Sequence, residues 1–188
     1  MHPDALIEAL IRREGGFVDD ADDPGGATKY GITLAVLEAW RGRRLGREDV
    51  AALDSEEARA IYGELYYRRP GLDRLPAVLQ PPVLDAAVNQ GPVTAIRMLQ
   101  QVLDAVGPEA LLADGILGER TAAAADRETR RLGPWLVAAL VDERRRRYCR
   151  LAARRPASAK FLDGWLRRAT EFAPSAQDLE AFTCQSPS

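Results

Sequence analysis

The sequence predicts an all-α fold, and three observations carry that expectation. Apolar residues recur at helical spacing along most of the 188 residues. Thr, Asp and Pro stand where the helices begin, and Gly where they end. Val, Ile and Thr are scattered instead of gathered in alternating runs, which leaves room for a short hairpin at most.

Asp4 starts a first helix, whose Leu6, Ile7, Leu10 and Ile11 recur at i, i+3 and i+4, and Gly15-Gly16 stops it. Residues 17–32 read as a loop rich in Asp, Gly and Pro, the one place where a short hairpin fits. Thr33 N-caps a helix through Trp40, closed by Gly42. Asp54 with Glu57 makes a capping-box start for a helix to about Arg69, just before Pro70. Pro81-Pro82 open a helix ending at Gly91, and Pro92 opens the next, ending near Gly107. A helix from about Glu119 to Arg131 stops at Gly133-Pro134. A long one follows over about 135–153 and a last one over about 162–173. The tail from Thr183 is small and polar, so it is expected to fray.

Composition narrows the function classes. At 46% hydrophobic and 29% charged residues the chain has ordinary globular material and enough apolar residues for a core. A formal net charge of -2 hides an asymmetry. Residues 1–120 carry 13 basic and 20 acidic side chains, residues 121–188 carry 13 and 8. A basic C-terminal third suits an anionic polymer, and equally a solvated helix face. No nucleic-acid motif accompanies it, so no nucleic-acid partner is expected. The two cysteines, Cys149 and Cys184, make neither a disulfide framework nor a metal spacing. The single His2 excludes His-rich metal sites and any His-based triad. No apolar run approaches a membrane span, and the N-terminus does not read as a Sec signal. The expectation is cytoplasmic synthesis without membrane insertion. No long heptad seam is visible, which makes a monomer the default.

The chemistry concentrates after the first helix. Glu14 lies three residues after Ile11 and seven after Ile7, within roughly 20° of Ile7 on the helical wheel. A carboxylate on that apolar stripe is desolvated, and in the last helical turn it also meets the negative end of the dipole. Both effects raise its pKa, the condition for a general acid near neutral pH. A partly buried Glu bonded to loop amides satisfies the same pattern. Asp19, Asp20, Asp22 and Asp23 follow, and any one of them can supply the second carboxylate that glycosidases usually use. Calcium is the rival for so many aspartates, but Pro24 stands where the third ligand of the Asp20-Ala21-Asp22 series belongs. Gly25-Gly26 lacks the Lys-Ser/Thr pair of a phosphate loop.

The step Glu14-Gly15-Gly16-Phe17 and the run Asp23-Pro24-Gly25-Gly26-Ala27-Thr28-Lys29-Tyr30-Gly31-Ile32-Thr33 resemble the signature of glycoside hydrolase family 108. These are N-acetylmuramidases of bacteriophages and prophages, also found in toxin-secretion loci. The likeness continues through Ala60-Ile61-Tyr62 with Tyr66-Tyr67 and through Asp85-Ala86-Ala87-Val88-Asn89-Gln90-Gly91. It extends to Leu99-Gln100, Asp114-Gly115-Ile116-Leu117-Gly118 with Thr121, and Phe161 with Gly164-Trp165 and Arg168. The sequence departs from the commonest pattern at Phe17, Asp19 and Ala21, which leaves the glutamate intact.

The resemblance implies a lysozyme-like helical fold and hydrolysis of the β-1,4 bond between N-acetylmuramic acid and N-acetylglucosamine. Its catalytic glutamate is Glu14, its partner is the glycan strand of peptidoglycan, and acid plus water suffice without metal or organic cofactor. It also implies a catalytic region over 1–91 and a peptidoglycan-binding region over 92–183, and the small, polar residues 184–188 are expected to form a short mobile tail. A second resemblance, to the Glu-Asp-Thr constellation of phage-type lysozymes, assigns Asp23 as base or electrostatic partner and Thr28 as water holder. Tyr62 and Tyr66 sit at i, i+4 on one helix face. With Tyr30 they either line a sugar cleft or fill the core. Asn89 is either a helix-capping residue or, as the resemblance implies, a substrate contact. Trp135 and Trp165 read as core, and of Arg144, Arg145, Arg146 and Arg147 at least one must pair internally or snorkel. Without a signal, such an enzyme depends on a holin or a specialised secretion system to act in the periplasm or at the wall.

Overall fold

The computed structural model describes residues 3–14, 16–18 and 26–185. Almost every described element is helical, and the fold is an all-helical lysozyme-like one. The chain packs as two compact units, one ending at Arg69 and the other beginning at Pro70.

The first unit is built on α1 (Pro3–Glu14), which buries Leu6, Ile7, Leu10 and Ile11 as its period dictates. A hairpin follows, β1 (Thr28–Lys29) and β2 (Ile32–Thr33), paired antiparallel with Thr28 opposite Thr33 and Lys29 opposite Ile32. Val18 bridges to Thr28 on the other side. Thr33 then caps α2 (Leu34–Arg41), its hydroxyl accepting from the Val36 amide at 3.4 Å. Asp54 caps α4 (Ser55–Ile61) by accepting from the Glu57 amide at 2.8 Å. The Glu57 carboxylate does not return to the cap. It takes two hydrogen bonds from Arg41, at 2.9 and 2.6 Å, which pull α2 and α4 together. Arg41 holds this carboxyl below its ordinary value, against the opposing effect of burial.

Two features of this unit depart from the sequence reading. A five-residue helix, α3 (Arg47–Ala51), stands where no element was expected. One turn and a half is too short to show periodicity, and its start rests on the Asp49 carboxylate accepting from the Gly46 amide at 2.9 Å. The helix expected to run unbroken to about Arg69 changes to a π-helix over Tyr62–Arg68. Such wide turns are rare and are frequently found at functional sites.

The second unit gathers α5 (Gln80–Gln90), α6 (Pro92–Val106), α7 (Glu119–Leu132), α8 (Pro134–Arg154) and α9 (Leu162–Thr170). Helix α5 is buried on every side from Pro81 to Ala87 and packs on α6 and α8. The loop before α7 is organised by Gln100. Its Nε2 donates to Asp114 Oδ1, the Ile116 carbonyl and Thr121 Oγ1, and its Oε1 accepts from the Gly115 amide at 2.8 Å. Gly115 has φ +85, and a Cβ there would meet Val93 Cγ1 at 2.6 Å. A single glutamine thus holds Asp114, Gly115, Ile116 and Thr121 together.

Residues Ala176–Gln185 form α10, so Cys184 and Gln185 end a helix, whereas the sequence reading left this stretch without one. Its start was legible. Ser175 Oγ accepts from the Asp178 amide while Asp178 Oδ2 accepts from the Ser175 amide, a reciprocal cap. Trp135, expected in the core, is 47% exposed and borders a groove with Leu179 and Thr183 of α10. It stands in the first turn of α8, on the side of that helix that meets α10.

Candidate functional site

In the first unit the candidate residues lie at the end of α1 and on the hairpin. Glu14 is the last residue of α1; its side chain lies outside the described residues, as does the whole of Asp23. Val18 and Thr28 exchange both backbone hydrogen bonds at 2.8 Å. Val18 is the fourth residue after Glu14, a span of at most about 14 Å. Thr28 is therefore tied by pairing to the segment that leaves the glutamate.

The hairpin turn is Tyr30-Gly31, and both residues have positive φ, +54 and +75. Two central residues of this kind make the type I′ turn that matches strand twist. Gly31 accepts that conformation freely, but Tyr30 does not. The fold answers with a hydrogen bond from Tyr62 Oη to the Tyr30 carbonyl at 2.6 Å. Next to it, Lys29 Nζ donates to the Ala51 carbonyl at 2.6 Å and lies 5.4 Å from the Tyr30 ring centre.

The three tyrosines therefore separate. Tyr62 is 1% exposed, so its ring has no open face for a sugar, and its work is to hold the turn. That decides the open choice for Tyr62 in favour of the core. Tyr30 and Tyr66 remain half-buried. The Tyr66 ring lies 5.4 Å from that of Tyr62, and burial pushes its hydroxyl pKa up, so it stays protonated as a donor.

Asn89 belongs to the second unit and ends α5 together with Gln90, just before Gly91. Its Oδ1 accepts from Tyr148 Oη at 2.6 Å. Beneath it lies a buried ionic cluster that the sequence reading did not assemble. Asp85, 1% exposed, takes Arg144 Nη2 at 2.5 Å and Arg168 Nε at 3.1 Å on both oxygens. Arg144, 2% exposed, also donates its Nε to Tyr148 Oη at 3.2 Å. The expectation that one of the four consecutive arginines pairs internally is met by Arg144. What sequence cannot show is that its partner stands 59 residues away. Trp165, stacked on Tyr148 with ring centres 5.3 Å apart, completes the cluster.

Among the described residues no group of three or more His, Cys, Asp or Glu stands together to hold a metal ion. No helix among them is long and apolar enough to cross a membrane. Both cysteines are free and exposed.

Comparison with known proteins gives this geometry a context. The family model described as Glycosyl hydrolase 108 matches residues 7–91, which span α1, the hairpin and all of α5. A second model, described as Predicted Peptidoglycan domain, matches residues 94–170. No curated protein matches the chain. Among solved structures, that of Brucella abortus SagA is similar, with 33% identity and a TM-score of 0.74. The likeness covers 97% of this chain and 95% of that one. A likeness of that extent, with both segments matched in order, shows that the chain belongs to the glycosyl hydrolase 108 family and is a peptidoglycan hydrolase carrying a peptidoglycan-binding domain.

Proposed function

We propose that the enzyme is an N-acetylmuramidase that hydrolyses the β-1,4 bond between N-acetylmuramic acid and N-acetylglucosamine, with Glu14 as general acid. The observation that carries this reading is the place of Glu14. It closes α1 in register with the buried Ile7 and Ile11, inside the segment matched to the hydrolase family. Its position in the sequence combines an apolar stripe with the negative end of the helix dipole, the two conditions under which a carboxyl stays protonated. A protonated carboxyl is what the leaving glycosidic oxygen needs.

The partner roles follow the same reading. Asp23 activates or electrostatically assists the attacking water, and Thr28 holds it. Thr28 suits that role because its strand is fixed on both sides, by Val18 and by Thr33. Tyr30 and Tyr66 offer half-buried aromatic surface to sugar rings, and Asn89 offers its amide. Residues 1–91 then form the catalytic region and 92–183 the region that holds the wall polymer.

The test is digestion of purified peptidoglycan by the wild-type chain and by Glu14→Gln, with analysis of the new glycan ends. Reducing muramic acid ends from the wild type, and loss of release in the variant, are expected. Equal release by both would move the acid elsewhere. Ends of the 1,6-anhydro type would make the enzyme a lytic transglycosylase, and no release by folded wild type would leave a wall binder.

A further inference from the structure

The last two residues of α5 are both met by donors from α8. Tyr148 Oη donates to Asn89 Oδ1 at 2.6 Å, and Arg147 Nε donates to Gln90 Oε1 at 2.7 Å. The direction of the first bond follows from a second contact on the same hydroxyl, because Arg144 Nε donates to Tyr148 Oη at 3.2 Å. A guanidinium has donors only, so the phenol accepts from Arg144 and keeps its own proton for Asn89. Turning the Asn89 amide over would aim its N–H at an oxygen that already receives one, and would leave the phenol proton without its acceptor. The side chain is thereby held with its oxygen toward α8 and its two amide protons directed away from it. Gln90 is held in the same sense, and its buried Nε2 has no hydrogen-bond partner among the described residues.

The relay is anchored on buried groups. Arg144 is fixed by Asp85, which Arg168 also grips, and the Tyr148 ring is 1% exposed and stacked against Trp165. Asn89 lies in the segment matched to the hydrolase family, whereas Arg144, Tyr148, Trp165 and Arg168 lie in the segment matched to the peptidoglycan domain. We propose that Tyr148, backed by Arg144, is a positioning residue for hydrolysis, fixing Asn89 so that it presents N–H donors to an acceptor oxygen of the glycan. The peptidoglycan domain then contributes to turnover through the orientation of a residue outside itself, as well as by holding polymer. The inference rests on the reading of Asn89 as a substrate contact.

A double-mutant cycle on initial rates of reducing-end release tests it, using the full chain and purified peptidoglycan, with the thermal midpoint of each variant measured alongside. Tyr148→Phe is expected to lower kcat roughly tenfold or more, as a lost orientation does. Asn89→Ala is expected to lower it as much, and the double variant no further. Asn89→Asp keeps an acceptor for Tyr148 but has no N–H to present, so it should behave as Asn89→Ala. Wild-type turnover in Asn89→Ala would remove Asn89 from the reaction, and the relay with it. Lost turnover in Asn89→Ala beside full turnover in Tyr148→Phe would overturn the relay alone. Effects that multiply in the double variant would overturn it too, by giving Tyr148 a general structural role. If Tyr148→Phe does not fold, Arg144→Lys replaces it in the cycle. Lysine keeps the charge beside Asp85 but loses the fork that reaches the phenol, and the same three outcomes apply.

Discussion

The Tyr62 hydroxyl donates a 2.6 Å hydrogen bond to the carbonyl of Tyr30, 32 residues earlier in the chain. Tyr30 has φ +54, a conformation disfavoured by about 1–2 kcal/mol for a residue with a Cβ. The π-helix that begins at Tyr62 thus holds the hairpin turn that follows Thr28 and Lys29. Tyr62→Phe should lower stability by about 1 kcal/mol through this bond alone. Urea unfolding measures it. Adding Tyr30→Gly relieves the backbone strain and should recover part of the loss; an unchanged midpoint in Tyr62→Phe would show that the bond does not hold the turn.

Breaking the buried cluster at Asp85 has a larger expected effect. Asp85→Ala leaves the Arg144 and Arg168 guanidiniums facing each other without their carboxylate. Losing one partner of a buried ion pair costs about 3–5 kcal/mol. The measurement is the denaturant midpoint, and a loss below about 1 kcal/mol would show that solvent reaches the pair.

Stability should fall in acid, and Glu128 should account for part of it. Burial pushes this carboxyl up, but Arg131 at 2.6 Å and Arg127 at 2.9 Å more than offset that and hold it below its ordinary 4.5. A depressed folded value contributes stability above the unfolded pKa and loses it as pH falls through the folded one. Unfolding free energy should therefore decline from about pH 5 downward. Glu128→Gln should flatten that decline without abolishing it, because Glu57 and Asp114 are lowered as well.

Gly115→Ala tests the loop ordered by Gln100. The new methyl would lie 2.6 Å from Val93 Cγ1 and 2.9 Å from the Val93 carbonyl, at a backbone angle that alanine resists. A loss of about 2 kcal/mol or more is expected from strain and displacement together. Thermal unfolding reads it, and wild-type stability would show that the loop can be built another way.

The loop after Glu14 is best tested chemically. Asp23→Asn and Thr28→Ala should each lower wall hydrolysis by at least about tenfold while leaving the unfolding free energy within about 0.5 kcal/mol of wild type. Retained hydrolysis in Asp23→Asn would remove that aspartate from the mechanism.

The sequence by itself determined the helices long enough to show a period and a cap. Leu6, Ile7, Leu10 and Ile11 lie where their spacing puts them, Thr33 and Asp54 cap as read, and Pro92 opens α6. It also determined the family, because the run from Asp23 to Thr33 is specific in residue type and order. These are local properties, set by neighbours within a turn or two of chain.

Tertiary structure decided what depends on partners far along the chain. It placed Tyr62 in the core under Tyr30, gave Arg144 its carboxylate at Asp85, and left Trp135 exposed beside α10. It turned Asn89 toward Tyr148 across 59 residues. A helical period states which face of a helix is apolar, but not which buried polar groups find each other. That is settled by packing, because a charge or amide in the core persists only where another element brings the group that satisfies it.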